Sequence, residues 1–137
     1  MASAAPTLPT PASLRSAAQA AAARGEPLVV MTTLKGCVYC ELVRNNYLAP
    51  MRRDGEVVAV QIDVQDRQST LQGFAGDTTT PADQARAWKA RFTPTVMFFG
   101  PDGQELAERL VGVAVPDFFG EYLNARLVEA RSKLKKN

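Results

Sequence analysis

The sequence predicts an α/β domain built on a central mixed β-sheet. Three observations predict it. Apolar strands alternate with helical stretches along most of the chain, the pattern of parallel strands joined by right-handed crossovers. Two later strands flank Gly100-Pro101-Asp102-Gly103, a strong turn signal that adds an antiparallel hairpin to the same sheet. The only two cysteines, Cys37 and Cys40, stand three apart where a strand hands over to a helix.

Length and composition bound the answer. At 137 residues the chain suits one domain that buries its own core without help from disulfides. A net charge of +2 gives no argument for a nucleic-acid partner. No apolar run is long enough to cross a bilayer. One cysteine pair fits a cytosolic redox protein or an exported one.

The elements follow in order. Residues 1–11 hold Ala, Ser, Pro and Thr with one Leu and no charge. They lack the basic and apolar regions of a complete signal peptide. They match the small-residue stretch beyond a cleavage site, so a periplasmic location is expected; an ordinary disordered terminus is the other reading. Residues 1–12 are expected to be flexible, and residues 13–137 to form the domain. Ser13 offers an N-cap for an Ala-rich helix over 14–24, which Gly25 and Pro27 stop. Residues 28–34 read as a buried, β-branched strand.

After the cysteines, Cys40, Val43, Tyr47 and Leu48 recur at helical spacing, and Pro50 marks the expected end of that helix. Asp54-Gly55 is a turn. Residues 57–62 form a second strand. Residues 65–79 read as a long polar loop with Phe74 as its one large apolar residue; long loops are often functional or mobile. Phe74 either pins the loop or faces a partner. Thr80, Pro81 and Asp83 start a helix whose Ala85, Trp88 and Phe92 share a core-facing stripe. Residues 96–99 are a strand, and 104–111 are expected to pair back until Gly112. Pro116 opens a last helix with Phe118, Phe119, Tyr122, Leu123 and Leu127 as its apolar face. The basic tail over 131–136 reads as a solvated helix end.

The cysteine pair carries the chemistry. A helix start presents unpaired N–H groups and partial positive charge, which stabilise an anion. A cysteine there ionises more readily. Cys37 is therefore expected to be the exposed nucleophile, and Cys40, one turn inside, the buried thiol that resolves a mixed disulfide. Lys35 adds positive charge nearby. Two plainer readings compete. Zinc takes four N or S ligands, but the chain has no histidine and no third cysteine, so a dimer or carboxylates would have to complete the site. A structural staple this short constrains the unfolded chain least.

Cys37-x-x-Cys40 after a strand, Thr93-Pro94-Thr95 before one, Phe98-Phe99-Gly100-Pro101-Asp102-Gly103 and then Gly112 form an ordered set. Together they resemble a thioredoxin-fold thiol–disulfide oxidoreductase over residues 28–127, most closely the exported SoxW type. The resemblance implies a thioredoxin-like fold, with helices flanking the central mixed sheet on both faces, and a cis bond at Pro94. That bend sets Thr93 beside the cysteines, with its backbone free to pair with a bound peptide. A plain helix stop is the other reading of Thr93-Pro94. Threonine at this place resembles the reducing and isomerising exported members. Val38 and Tyr39, between the cysteines, complete the expected substrate-binding residues.

Two departures stand out. Thioredoxin keeps an acid beneath the cysteines, where this chain has Met31, and a partner lysine, where it has Ala59. Glu41 or a water is left to take the proton of the buried thiol. The dipeptide Val38-Tyr39 has no histidine to stabilise a strong oxidant's thiolate.

The resemblance implies a protein-disulfide reductase with catalytic Cys37 and Cys40, no cofactor and no metal. Its expected partners are disulfide-containing proteins and a dithiol electron donor, a membrane-bound one included; the protein itself is expected to be a monomer. The rivals are a disulfide oxidant or isomerase, and a non-catalytic module that grips a peptide or Cu(I).

Overall fold

The computed structural model describes residues 7–136. In chain order the elements are α1 (Leu14–Ala23), β1 (Leu28–Thr33), α2 (Val38–Val43), a π-helical turn (Arg44–Leu48), α3 (Ala49–Arg53) and β2 (Val58–Asp63). Then come β3 (Leu71–Gln72), β4 (Thr78–Thr79), α4 (Pro81–Ala87), β5 (Thr95–Phe99), β6 (Leu110–Val111) and α5 (Phe119–Lys136). The main sheet has the order β2-β1-β5-β6. β1 and β2 are parallel, with Leu28 opposite Val58. β5 is antiparallel to β1 and to β6. This is the mixed sheet that the sequence predicts.

The central strands are buried on both faces, so they read as nearly continuous apolar runs. Successive side chains point to opposite faces. Val29, Met31, Val96 and Phe98 pack with Cys40, Val43 and Leu48 and with Phe119, Leu123 and Leu127 of α5. Leu28, Val30, Met97 and Phe99 pack on the other face with Leu14 and Ala18 of α1 and Ala85 of α4. Phe98 and Phe99 are both fully buried, and each contributes about 2–3 kcal/mol.

Several expectations are corrected. Pro50 does not end the second helix, which continues through α3 to Arg53. A helical proline lacks an N–H and crowds the carbonyl four residues back. Here a π turn precedes it, with the Ala49 N–H reaching the Arg44 carbonyl, and Pro50 falls in the first turn of α3, where its missing donor is tolerated. The helix ends at Asp54-Gly55, with Gly55 at φ +76°.

The long loop contains its own hairpin, β3 with β4. Phe74 pins it, its ring 4.9 Å from that of Phe99 and 6.4 Å from that of Trp88. Phe92 leaves the core: α4 ends at Ala87 with Trp88 as its C-cap, and Lys89 turns the chain at φ +57°, so the helical spacing stops before residue 92. Phe118 and Tyr122 are also exposed, while Phe119, Leu123 and Leu127 are buried. The strand expected over 104–111 is interrupted. Phe99 faces Glu105, so an unbroken ladder would set Val96 against Glu108; it faces Leu110 instead. Two extra residues bulge from the return strand.

Residues 1–6 of the segment expected to be flexible lie outside the described residues. Residues 7–12 are docked. Leu8 is buried in the core, the Pro9 carbonyl accepts from the Gln61 N–H at 2.9 Å, and the Ala12 carbonyl accepts from the Gln72 N–H at 2.9 Å. In the basic tail, Arg131 forms a two-pronged ion pair with Glu26 at the base of β1.

Candidate active site

The turn before α2 sets the first cysteine. Gly36 takes φ +82°, which a residue with a side chain rarely adopts. Cys37 follows as the N-cap, its Sγ accepting the Cys40 N–H at 3.1 Å. Cys37 is half-buried and Cys40 fully buried. The two are disulfide-bonded, with Cα atoms 5.2 Å apart. Val38 and Tyr39 stand on the surface between them, 72% and 46% exposed. The Cys40 sulfur lies 4.0 Å from the Thr32 carbonyl oxygen.

The loop after α4 supplies the opposite wall. The Thr93–Pro94 peptide bond is cis. The Thr93 hydroxyl donates to Cys37 Sγ at 3.6 Å, and the Thr93 carbonyl oxygen is 3.6 Å from the same sulfur. Three contacts hold the loop there. The Thr95 N–H donates to the buried Thr32 hydroxyl at 2.9 Å, and the Thr95 hydroxyl donates to the Phe92 carbonyl at 2.6 Å. The Gly112 N–H donates to the Pro94 carbonyl at 2.7 Å. Gly112 sits at φ +67°, so glycine suits the place for its backbone freedom.

The structure thus gathers Cys37, Cys40, Val38, Tyr39, Thr93 and Pro94 at one end of the sheet. Met31 and Ala59 are buried on the face beneath the cysteines. Glu41 is exposed while its neighbour Cys40 points inward. Successive helix positions diverge by about 100°, so Glu41 does not lie over the buried sulfur. Among the described residues no group of three or more His, Cys, Asp or Glu side chains stands together.

Residues 14–127 match the family model described as a thioredoxin-like domain. The chain belongs to the thioredoxin-like domain family. Thioredoxin O2 from Arabidopsis thaliana, in its oxidized state, superposes at a TM-score of 0.59 with 15% identity, covering 92% of this chain and 99% of that one. A thioredoxin from Nicotiana alata does so at 0.58 with 17% identity, covering 93% and 99%. Mitochondrial thioredoxin 3 from Saccharomyces cerevisiae, also oxidized, does so at 0.55 with 17% identity, covering 86% and 94%. At these identities the likeness shows the fold. Among curated proteins no sequence relative was found. The thioredoxin-like fold, with Cys37 and Cys40 bonded at a helix start, supports thiol–disulfide oxidoreductase chemistry.

Two side chains of this thioredoxin-like domain escape sequence reasoning. Arg44 sits one turn beyond Cys40. Its guanidinium donates to the Thr33 hydroxyl at 2.7 Å and to Gln61 Oε1 at 2.9 Å. Its spacing from Cys40 is visible in the sequence, but its partners on β1 and β2 are not. Arg109 donates to the Trp88 carbonyl at 2.7 Å and grips both carboxylate oxygens of Glu105. No local signal points to that clamp under the Thr93 loop.

Proposed function

We propose that this protein reduces disulfides in partner proteins by dithiol–disulfide exchange. One observation carries the reading: the half-buried Cys37 sulfur sits at a helix start, facing the Thr93 hydroxyl and the Cys40 N–H. Both donors favour the thiolate, the attacking form.

In the reduced protein, Cys37 thiolate attacks one sulfur of a partner disulfide. A Cys37–partner S–S bond forms, the partner's own S–S bond breaks, and the leaving partner thiolate takes up a proton. Cys40 then gives up its proton and attacks the Cys37 sulfur. The Cys37–Cys40 bond forms, and the second partner sulfur leaves as a thiolate. The partner gains two electrons, and the protein ends in the disulfide state. A dithiol donor returns it to the start, with no further cofactor. The Thr93 backbone pairs with the partner segment as an added strand, beside Val38 and Tyr39.

We further propose a periplasmic monomer of the SoxW type working on exported proteins; the small-residue composition of residues 1–11 supports export. No helix among the described residues is long and apolar enough to cross a membrane.

The test is the equilibrium reduction potential of the Cys37–Cys40 pair against a glutathione or dithiothreitol series. A value near about −270 mV supports a reductant, and one near about −120 mV makes the protein an oxidant. A pair that never cycles leaves a peptide- or Cu(I)-binding module.

A further inference from the structure

Beside the Thr93 loop lies a pocket of about 220 Å³, lined by Lys89, Arg91, Phe92, Thr95, Arg109 and Val111 among others. Two of its lining residues, Phe92 and Thr95, flank in the chain the Thr93-Pro94 pair whose Thr93 hydroxyl faces Cys37. Its walls are of two kinds. Phe92 and Val111 are 67% and 53% exposed, large apolar side chains left uncovered at the mouth. Lys89 and Arg91 are exposed cations, and among the described residues neither forms an ion pair. Arg109 differs, its charge answered by Glu105.

Lys89 makes the arrangement specific. It holds φ +57°, in the left-handed region where glycine is favoured. The Ala90 N–H donates to the Ala85 carbonyl at 3.0 Å, so this turn closes α4, and it puts a long cationic side chain in the pocket lining. The other charges near the cysteines do not cancel it. Lys35 adds a further exposed cation ahead of Cys37; Glu41 after Cys40 and Asp117 beyond Gly112 are exposed acids, and neither lines the pocket. Glu108, on the bulged return strand, is paired with Arg126.

We propose that this pocket binds an acidic side chain of the partner polypeptide, next in space to the disulfide being exchanged. The occupant is a polypeptide segment carrying Asp or Glu beside apolar residues. The cations take the carboxylate, Phe92 and Val111 cover the apolar part, and the Thr93 backbone holds the strand. Unpaired cations beside low-dielectric walls raise the encounter rate of an acidic partner. The inference rests on the disulfide-exchange reading and adds the class of partner to it.

The experiment is stopped-flow oxidation of the reduced protein by two disulfide-bridged peptides, identical except for Glu or Lys beside the bridge. The expected result is a rate about tenfold higher for the Glu peptide at low salt. That ratio falls toward one as ionic strength rises. It inverts in the double variant Lys89→Glu, Arg91→Glu, whose fold is checked by circular dichroism. Should that variant misfold, Lys89→Gln and Arg91→Gln each reduce the ratio. Equal rates for the two peptides at low salt, or a ratio the variants leave intact, overturn the proposal. Hydroxyethyl disulfide, neutral and too small to span to the pocket, separates the two levels in the unmodified protein. If it oxidises the protein while the peptides show no charge preference, the pocket assignment fails alone. If no disulfide reacts, the exchange reading fails and the pocket assignment with it.

Discussion

The Cys37 sulfur lies 3.6 Å from the carbonyl oxygen of Thr93, a residue 56 positions further along the chain. One belongs to the helix start after β1, the other to the loop before β5. Their meeting sets the Thr93–Pro94 loop as a wall beside the cysteine pair. It also gives each cysteine a separate part, since Cys37 is half-buried at that wall and Cys40 is fully buried behind it.

Cys37→Ser is expected to abolish turnover on protein disulfides. Cys40→Ser is expected to leave the first attack intact and accumulate Cys37–partner mixed disulfides, seen on non-reducing gels and by mass spectrometry. A peptide binder without redox chemistry would keep its affinity in both variants and trap nothing.

Thr93→Val removes the hydroxyl that donates to Cys37 Sγ at 3.6 Å while keeping the shape. A donor to the thiolate favours the charged form, so its loss moves the Cys37 thiol titration upward. Ultraviolet absorbance of the thiolate across a pH series checks the direction. An unchanged titration would show that the Cys40 N–H and the helix start carry the stabilisation alone.

Arg44→Met removes a cation one turn from Cys40, on a face where Met31 and Ala59 carry no charge. A nearby cation stabilises thiolate, and thereby the reduced state. Its loss is expected to make the reduction potential more negative, by on the order of 1 kcal/mol, or about 20 mV for two electrons. The same glutathione equilibrium reads the shift, and a positive shift would reverse the assigned role. Thr33 and Gln61 also lose a donor, so a drop in unfolding free energy of about 1 kcal/mol accompanies it.

Arg109→Met cuts the clamp between Glu105 and the Trp88 carbonyl. The expected loss in urea unfolding is about 1–2 kcal/mol. The loop that carries Thr93 loosens, so KM for a protein disulfide rises by a larger factor than kcat falls. Phe74→Ala strips the ring that packs on Phe99 and Trp88. Because Phe74 is only half-buried, the expected cost is about 2 kcal/mol, below the range for a fully buried Phe. Trp88 fluorescence follows both unfolding curves.

The sequence by itself determined what depends on near neighbours. Alternation and helical spacing located the strands and helices, because a strand buried on both faces must be apolar throughout and a helix must bury a stripe. The spacing of Cys37 and Cys40 after β1 was enough to put one sulfur at a helix start and the other inside. Local rules failed where a distant contact decided. Pro50 passes inside a helix because a π turn precedes it, and Phe92 turns outward because Lys89 bends the chain first. Leu8 is buried because β2 offers its edge to the Pro9 carbonyl.

Only the tertiary structure brought the Thr93 loop to Cys37 and drew Arg44 and Arg109 into position. It alone left Lys89, Arg91 and Phe92 around one pocket. The physical reason is the same in each case. Spacing along the chain governs which groups share a helix or strand face. Hydrogen bonds and burial between residues tens of positions apart govern which of those faces meet.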